Sequence, residues 1–212
     1  MKILDVRFIG AFMDPAKCPA DHPGIVFTGR SNVGKSTLVN RVVNRAIART
    51  SKTPGRTRQL IYFHVDRARG KPFYLVDLPG YGYAKVAQSV RLSWEKLVSA
   101  YLTKRDALRL CVFLVDARHE PMEGDLTLRT FLEHSGLPYV VAATKADKVG
   151  NGERQRRLFT LRGGMGAGAQ AVTTVSAVTR DGVDDLWRTI RRAAGRPLLA
   201  SMPGAPETRT DA

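Results

Sequence analysis

Cysteine is nearly absent from this 212-residue chain: Cys18 and Cys111 stand far apart, with no Cys-x-x-Cys pair and no histidines spaced to join them. That excludes a disulfide framework and a zinc ribbon, and it fits a reducing compartment. Long apolar runs are missing too. Residues 111–115 and 137–143 are far short of the roughly 20 needed to span a bilayer. Asp5 and Arg7 interrupt the stretch that an export signal would keep uncharged, so no leader is expected and the chain reads as cytoplasmic. Acidic residues are scarce, 19 against 34 Lys and Arg. The resulting net charge of +15 predicts a polyanionic partner, either nucleic acid or an anionic membrane surface. No internal repeat of solenoid period is present.

What remains is the composition of an ordinary globular domain, 43% hydrophobic and 25% charged, long enough to bury its own core. Short apolar runs at 3–9, 25–28, 60–65, 73–76, 111–115, 139–143 and 171–175 read as strands. Segments 35–45, 89–105, 123–134, 153–161 and 184–194 carry helical spacing. Most strands show little alternation, as expected when both faces of a sheet are covered. Their alternation with helices predicts a doubly wound α/β domain with a mostly parallel sheet. The link DRARGKP between 60–65 and 73–76 is too short for a crossover helix, so that pair should form one antiparallel hairpin. The Gly-rich stretch 162–170 reads as a flexible loop. The tail 196–212, rich in Pro, Ala and polar residues, reads as disordered, leaving 1–195 as a single domain.

Gly29-Arg30-Ser31-Asn32-Val33-Gly34-Lys35-Ser36 fits G-x-x-x-x-G-K-[ST] between an apolar run and an amphipathic helix. The glycines let backbone N–H groups wrap a phosphate, and the helix N-terminus adds its positive end. Lys35 should reach the β- and γ-phosphates, and the Ser36 hydroxyl should ligate Mg²⁺. The run 73–76 ends in Asp77-Leu78-Pro79-Gly80, where a carboxylate leaving a buried strand is the expected second metal ligand. Gly80 can bring its N–H close to the γ-phosphate. The basic segment 50–59 reads as a mobile loop, in which Thr53 and Thr57 both qualify to place a hydroxyl on Mg²⁺. Thr144-Lys145-Ala146-Asp147 follows the run 139–143. A carboxylate there can accept from guanine N1–H and the exocyclic amine, and would be left unpaired against adenine. The Lys145 stem would lie along the base, and Val175-Ser176-Ala177 would offer a backbone N–H to guanine O6. These residues predict GTP and GDP as ligands.

The segments GRSNVGKS, ARTSKTPGRT, LVDLPGYGYAKV, LVDARH, TKADK and VSA resemble the EngB family (also called YihA or YsxC) of bacterial Era-like GTPases, over roughly residues 3–195. The resemblance implies a P-loop G-domain that hydrolyses GTP to GDP as a Mg²⁺-dependent switch. It implies that Thr57 is the switch threonine and metal ligand, with Gly55, Arg56, Arg58 and Gln59 near the phosphates. Lys35, Thr57 and Gly80 are then the catalytic candidates. It further implies a role in assembly of the large ribosomal subunit, rRNA as the polyanion, and disturbed growth, division and septation when the protein is lost. Thr144 stands where most G proteins keep Asn. Tyr81 stands where Ras-like enzymes keep a water-orienting Gln, so intrinsic turnover is expected to be slow. Asn32 matches an asparagine that in Era-like relatives helps to hold K⁺ against the phosphates.

Two other readings compete. A nucleotide-gated division or membrane scaffold would want an amphipathic basic helix with aromatic anchors, which the chain lacks. A small-molecule kinase would want an arginine-rich lid and no base-reading TKAD. A monomer without membrane attachment is expected. Its basic clusters fall at Arg41/Arg45/Arg49, Lys52/Arg56/Arg58, Arg154/Arg156/Arg157 and Arg188/Arg191/Arg192/Arg196.

Overall fold

The structure, a computed structural model, describes residues 3–48, 59–82, 88–103, 106–165 and 168–196. Seven strands form one sheet: β1 (Ile3–Phe12), β2 (Gly24–Gly29), β3 (Leu60–Arg67), β4 (Phe73–Asp77), β5 (Leu108–Asp116), β6 (Tyr139–Thr144) and β7 (Ala171–Thr174). Five helices alternate with them: α1 (Lys35–Val43), α2 (Gln88–Thr103), α3 (Glu123–Ser135), α4 (Asn151–Met165) and α5 (Val183–Ala194). The strand order is β1-β3-β4-β2-β5-β6-β7. β2 runs parallel to β4 and β5, β5 to β6, and β6 to β7. The expected β3–β4 hairpin is present. A second antiparallel ladder, which the sequence did not indicate, joins β1 to β3. β3 is therefore the one described strand that runs against the rest.

The central strands are apolar on both faces because helices cover both. Leu38, Val39, Val42 and Val43 of α1 pack with Leu186 and Ile190 of α5 against Ile25, Phe27, Val112 and Leu114. On the other face Val98, Tyr101 and Leu102 of α2 join Leu128, Leu132, Leu161 and Met165 against Val26, Val76, Cys111 and Phe113. Adjacent residues Ile25 and Val26 thus enter opposite layers, as the two-residue period of a strand requires. Both cysteines are buried, and neither is in a disulfide. In α5 the acidic Asp184 and Asp185 lie in the first turn and Arg191 and Arg192 in the last, complementing the helix dipole.

One sequence expectation is overturned. Residues 162–165, expected in a flexible loop, continue α4 to Met165, with Gly163 and Gly164 inside it. Each glycine costs about 1 kcal/mol in a helix interior relative to alanine. Burial of Leu161 and Met165, four residues apart on one face, outweighs that cost. The segments 49–58, 83–87 and 197–212 lie outside the described residues, and with them the expected loop around Thr53 and Thr57 and most of the expected tail.

Candidate functional site

The parallel register delivers the motifs to one edge of the sheet. Phe27 pairs with Asp77, Gly29 with Leu114, and Asp116 with Thr144. Strand ends 77, 116 and 144 therefore surround the turn that leaves β2. That turn runs through Asn32 at φ 60° and Gly34 at φ 101° before α1 begins at Lys35. Gly34 is the N-cap in a left-handed conformation that favours glycine. Gly29 is required by close approach instead: a Cβ there would sit 2.7 Å from the Leu114 carbonyl oxygen. The Ser31 N–H donates to the Tyr81 carbonyl at 2.9 Å, fastening the turn to the segment after β4.

Lys35 and Asp77 form an ion pair in which Asp77 is almost fully buried. The Ser36 hydroxyl lies 3.4 Å from the other Asp77 oxygen. Leu78, Pro79 and Gly80 follow as buried residues. A hydroxyl and a carboxylate converging at the start of α1 make an all-oxygen donor set, the type that a hard cation such as Mg²⁺ takes together with phosphate oxygens and water. These residues fit the metal.

On the other side of the turn, Lys145 adopts φ 58°. Its ammonium donates to the Asn32 carbonyl at 2.6 Å and to Asp116 Oδ2 at 2.8 Å. The Thr144 hydroxyl lies 2.6 Å from the Val33 carbonyl and 3.1 Å from that of Val115. Thr144, expected beside a base, thus has its hydroxyl directed into the turn and serves as a brace. Ala146 is buried and its N–H donates to the Val175 carbonyl at 3.2 Å. Asp147 Oδ1 accepts from the buried Ser176 hydroxyl at 2.7 Å. Ser176 Oγ in turn accepts the N–H groups of Val178 and Thr179, at 3.2 and 3.0 Å, which orients its proton toward Asp147. The Ser176 N–H is committed to Asp181, at 2.9 Å. The Ala177 carbonyl is held by Arg41 at 2.5 Å.

The structure therefore brings together Gly29 to Ser36, Asp77 to Gly80, Thr144 to Asp147 and Val175 to Ala177. Gln59 is exposed just before β3, and Gly55, Arg56, Thr57 and Arg58 lie outside the described residues. Sequence reasoning missed Asp116. Arg118 donates to it from its side chain at 2.9 and 2.8 Å and from its backbone at 3.1 Å. Burial alone would raise the Asp116 carboxyl, but donation from Arg118 and Lys145 outweighs it and holds the group well below the usual carboxylate range. The signal was present: Asp116 ends a buried strand, as Asp77 does.

Tyr81 also takes a role that its position did not suggest. Its buried hydroxyl donates to Asp125 Oδ1 at 2.5 Å, while Asp125 Oδ2 caps the Met122 N–H of α3 at 2.9 Å. Burial and the Asp125 charge push this phenol far above its ordinary value. Tyr81 is thus a neutral strut between the turn and α3.

The family model for 50S ribosome-binding GTPases matches residues 24–145. A protein of Geobacter sp. (strain M21), named as a probable GTP-binding protein EngB, is 43% identical over 209 residues, covering 98% of this chain and 95% of that protein. The chain belongs to the EngB family of GTP-binding GTPases. Among solved structures, a probable EngB crystal structure is similar at 25% identity and TM-score 0.64, covering 81% of this chain and 98% of that one. Era, solved in complex with MgGDPNP and a segment of 16S ribosomal RNA, shares the fold at 21% identity and TM-score 0.69, covering 88% of this chain and 60% of that one. Membership of the EngB family makes the chain a GTP-hydrolysing enzyme with a P-loop. Among the described residues, no helix is long and apolar enough to cross a membrane.

The charge network around Lys145 carries a pH signature. With its folded value depressed, Asp116 contributes full stability above the unfolded carboxylate value of about 4, and that contribution drains away as pH falls below it. Asp116→Asn should cost on the order of 1–3 kcal/mol at pH 7 and clearly less at pH 3, read by urea denaturation. An equal penalty at both pH values would remove the charge from the argument.

Proposed function

We propose that this EngB-family GTPase is a Mg²⁺-dependent switch that acts in assembly of the large ribosomal subunit, with rRNA as the partner of its basic surface. The family's description as ribosome-binding and the net charge of +15 support this reading, because neutralising dense phosphate arrays is what surplus arginine does best. Loss of such a factor would starve cells of large subunits, which links the reading to disturbed growth, division and septation.

The geometry of the turn supports the roles of its residues. N–H groups from Gly29 to Ser36, with Arg30, Ser31 and Val33 shaping the loop, would cradle the phosphates of GTP. Lys35, now paired with Asp77, would turn to the β- and γ-phosphates, whose charge offers it a stronger partner. Ser36, Asp77 and Thr57 would hold Mg²⁺, which when bound neutralises charge on the β- and γ-phosphate oxygens. Gly80, with Leu78 and Pro79 setting its approach, would offer its N–H to the γ-phosphate. Gly55, Arg56, Arg58 and Gln59 would lie around Thr57. Because the Tyr81 hydroxyl is committed to Asp125, it supplies nothing to an attacking water, and slow intrinsic turnover follows. The exposed Asn32 amide is where K⁺ would add positive charge, so turnover should be faster in KCl than in NaCl at matched ionic strength. Equal rates in wild type would exclude that ion.

Ser176 holds Asp147 so that its carboxylate retains lone pairs for guanine N1–H and the exocyclic amine. With the Ser176 N–H occupied, the Ala177 N–H is the amide left for guanine O6 within Val175-Ser176-Ala177. Asp147→Asn should lower GTP affinity 10-fold or more, on the order of 1–3 kcal/mol, and move preference toward xanthosine triphosphate. Calorimetric titration with both nucleotides reads this, and an unchanged preference for GTP would take Asp147 out of the base site.

The ribosomal reading is tested by co-sedimentation with large ribosomal subunits. Binding should be stronger with a non-hydrolysable GTP analogue than with GDP, and should weaken steeply as salt rises from 50 to about 200 mM. Equal pelleting in both nucleotide states would refute the switch.

A further inference from the structure

The arginines of α4 divide into two sets. Arg154 donates to the Ala146 carbonyl at 2.7 Å and lies 3.9 Å from Asp181. Arg157 pairs with Glu120 and, at 3.3 Å, with Glu153. Arg156 and Arg162 are exposed and form no ion pair with any described residue. Midway between them stands Phe159, 80% exposed, the most exposed of the large apolar side chains described. Residues three apart share a helix face, so this face presents an arginine, an aromatic ring and a second arginine in line.

The surroundings keep that face open. The position four residues after Phe159, where a side chain would lie against the ring, is Gly163, and nothing stands within 4 Å of where its Cβ would be. No acidic residue occurs between Glu153 and Asp181 in the chain. A single ring with cations on both sides is too small an apolar area for a stable protein interface, and the face lacks the carboxylates that a basic partner would need to meet. It matches one nucleotide of a single strand. The unstacked base offers a π-face, and its flanking phosphates offer charge to the guanidinium groups of two arginines whose backbone positions are about 9 Å apart along the helix axis.

We propose that this face of α4 binds an unpaired nucleotide of single-stranded RNA, with the base stacked on Phe159 and the neighbouring phosphates held by Arg156 and Arg162. The proposal rests on the RNA partner argued above for its biological setting, but it does not involve the GTP site.

The test is equilibrium binding, by fluorescence anisotropy, of a labelled 12-nucleotide oligouridine and of a 12-base-pair RNA duplex. Phe159→Ala should weaken binding of the single strand about 5- to 100-fold and leave the duplex unchanged. Phe159→Trp should restore affinity, and its fluorescence should be quenched as the base stacks. Arg156→Gln with Arg162→Gln should reduce the dependence of log affinity on log salt by about 1.4, the loss of two phosphate contacts on a single strand. Nucleotide affinity and GTP turnover should be those of wild type in every variant. Unchanged single-strand binding in Phe159→Ala, or equal weakening of single strand and duplex, would overturn the stacking site while leaving the RNA partner standing. A wild-type protein that binds neither RNA would overturn both. Self-association abolished by Phe159→Ala, seen by sedimentation velocity, would assign the face to a second copy and reject the RNA site.

Discussion

Everything at the nucleotide edge depends on the parallel register of β2 with β4 and β5, and of β5 with β6. Parallel ladders place strand ends of equal polarity side by side, so loops that leave them open onto a common edge. Phe27 beside Asp77 and Asp116 beside Thr144 are consequences of that register. A one-residue slip would send Asp77 to the opposite face of the sheet and separate it from Lys35 and Ser36. The slip is opposed by the helices on both faces, which require Ile25 and Phe27 in one layer and Val26 in the other.

On that frame the turn 29–36 and the segment 144–147 are mechanically one object. Lys145 touches the Asn32 carbonyl and Asp116, and Thr144 touches the Val33 carbonyl. Residues more than 100 positions apart in the chain thus share hydrogen bonds across the turn. Tyr81 performs the same service toward α3. The Thr144 and Tyr81 links are buried, so their donors meet their acceptors where water competes little. They also explain why Thr144 and Tyr81, which look like substitutions of functional residues, serve the site by holding its walls.

Legibility in the sequence followed sequence distance. The turn 29–36 was readable because strand, glycines, lysine and helix are contiguous, and the β3–β4 hairpin because its link is too short for anything else. β1 reads as a strand, but its antiparallel ladder to β3 is not legible locally. Its pairing with β3 joins residues 48 to 64 positions apart and is interrupted by register shifts near Ile3/Asp5 and Phe8/Gly10. The end of α4 reads as a loop because Gly163 and Gly164 argue locally against helix, while the burial of Leu161 and Met165 that decides the matter is tertiary. The arginine clusters were legible as charge but not as pairing. Arg45 meets Asp5 at 3.0 Å, and Arg188 pairs with Asp185, so part of the apparent polyanion-binding surface is spent within the fold.

The strand order also has a consequence for synthesis. β2 is made early, yet both of its neighbours, β4 and β5, come later in the chain, and β5 is complete only at Asp116. Until then the phosphate turn has no Leu114 carbonyl to pack against, and its contacts are of the long-range kind that form slowly. The hydroxyl that orients Asp147 belongs to Ser176, beyond the last strand. A nascent chain therefore completes the turn 29–36 and the Asp147–Ser176 pair in two separate stages, and neither is complete while the early half of the chain stands alone.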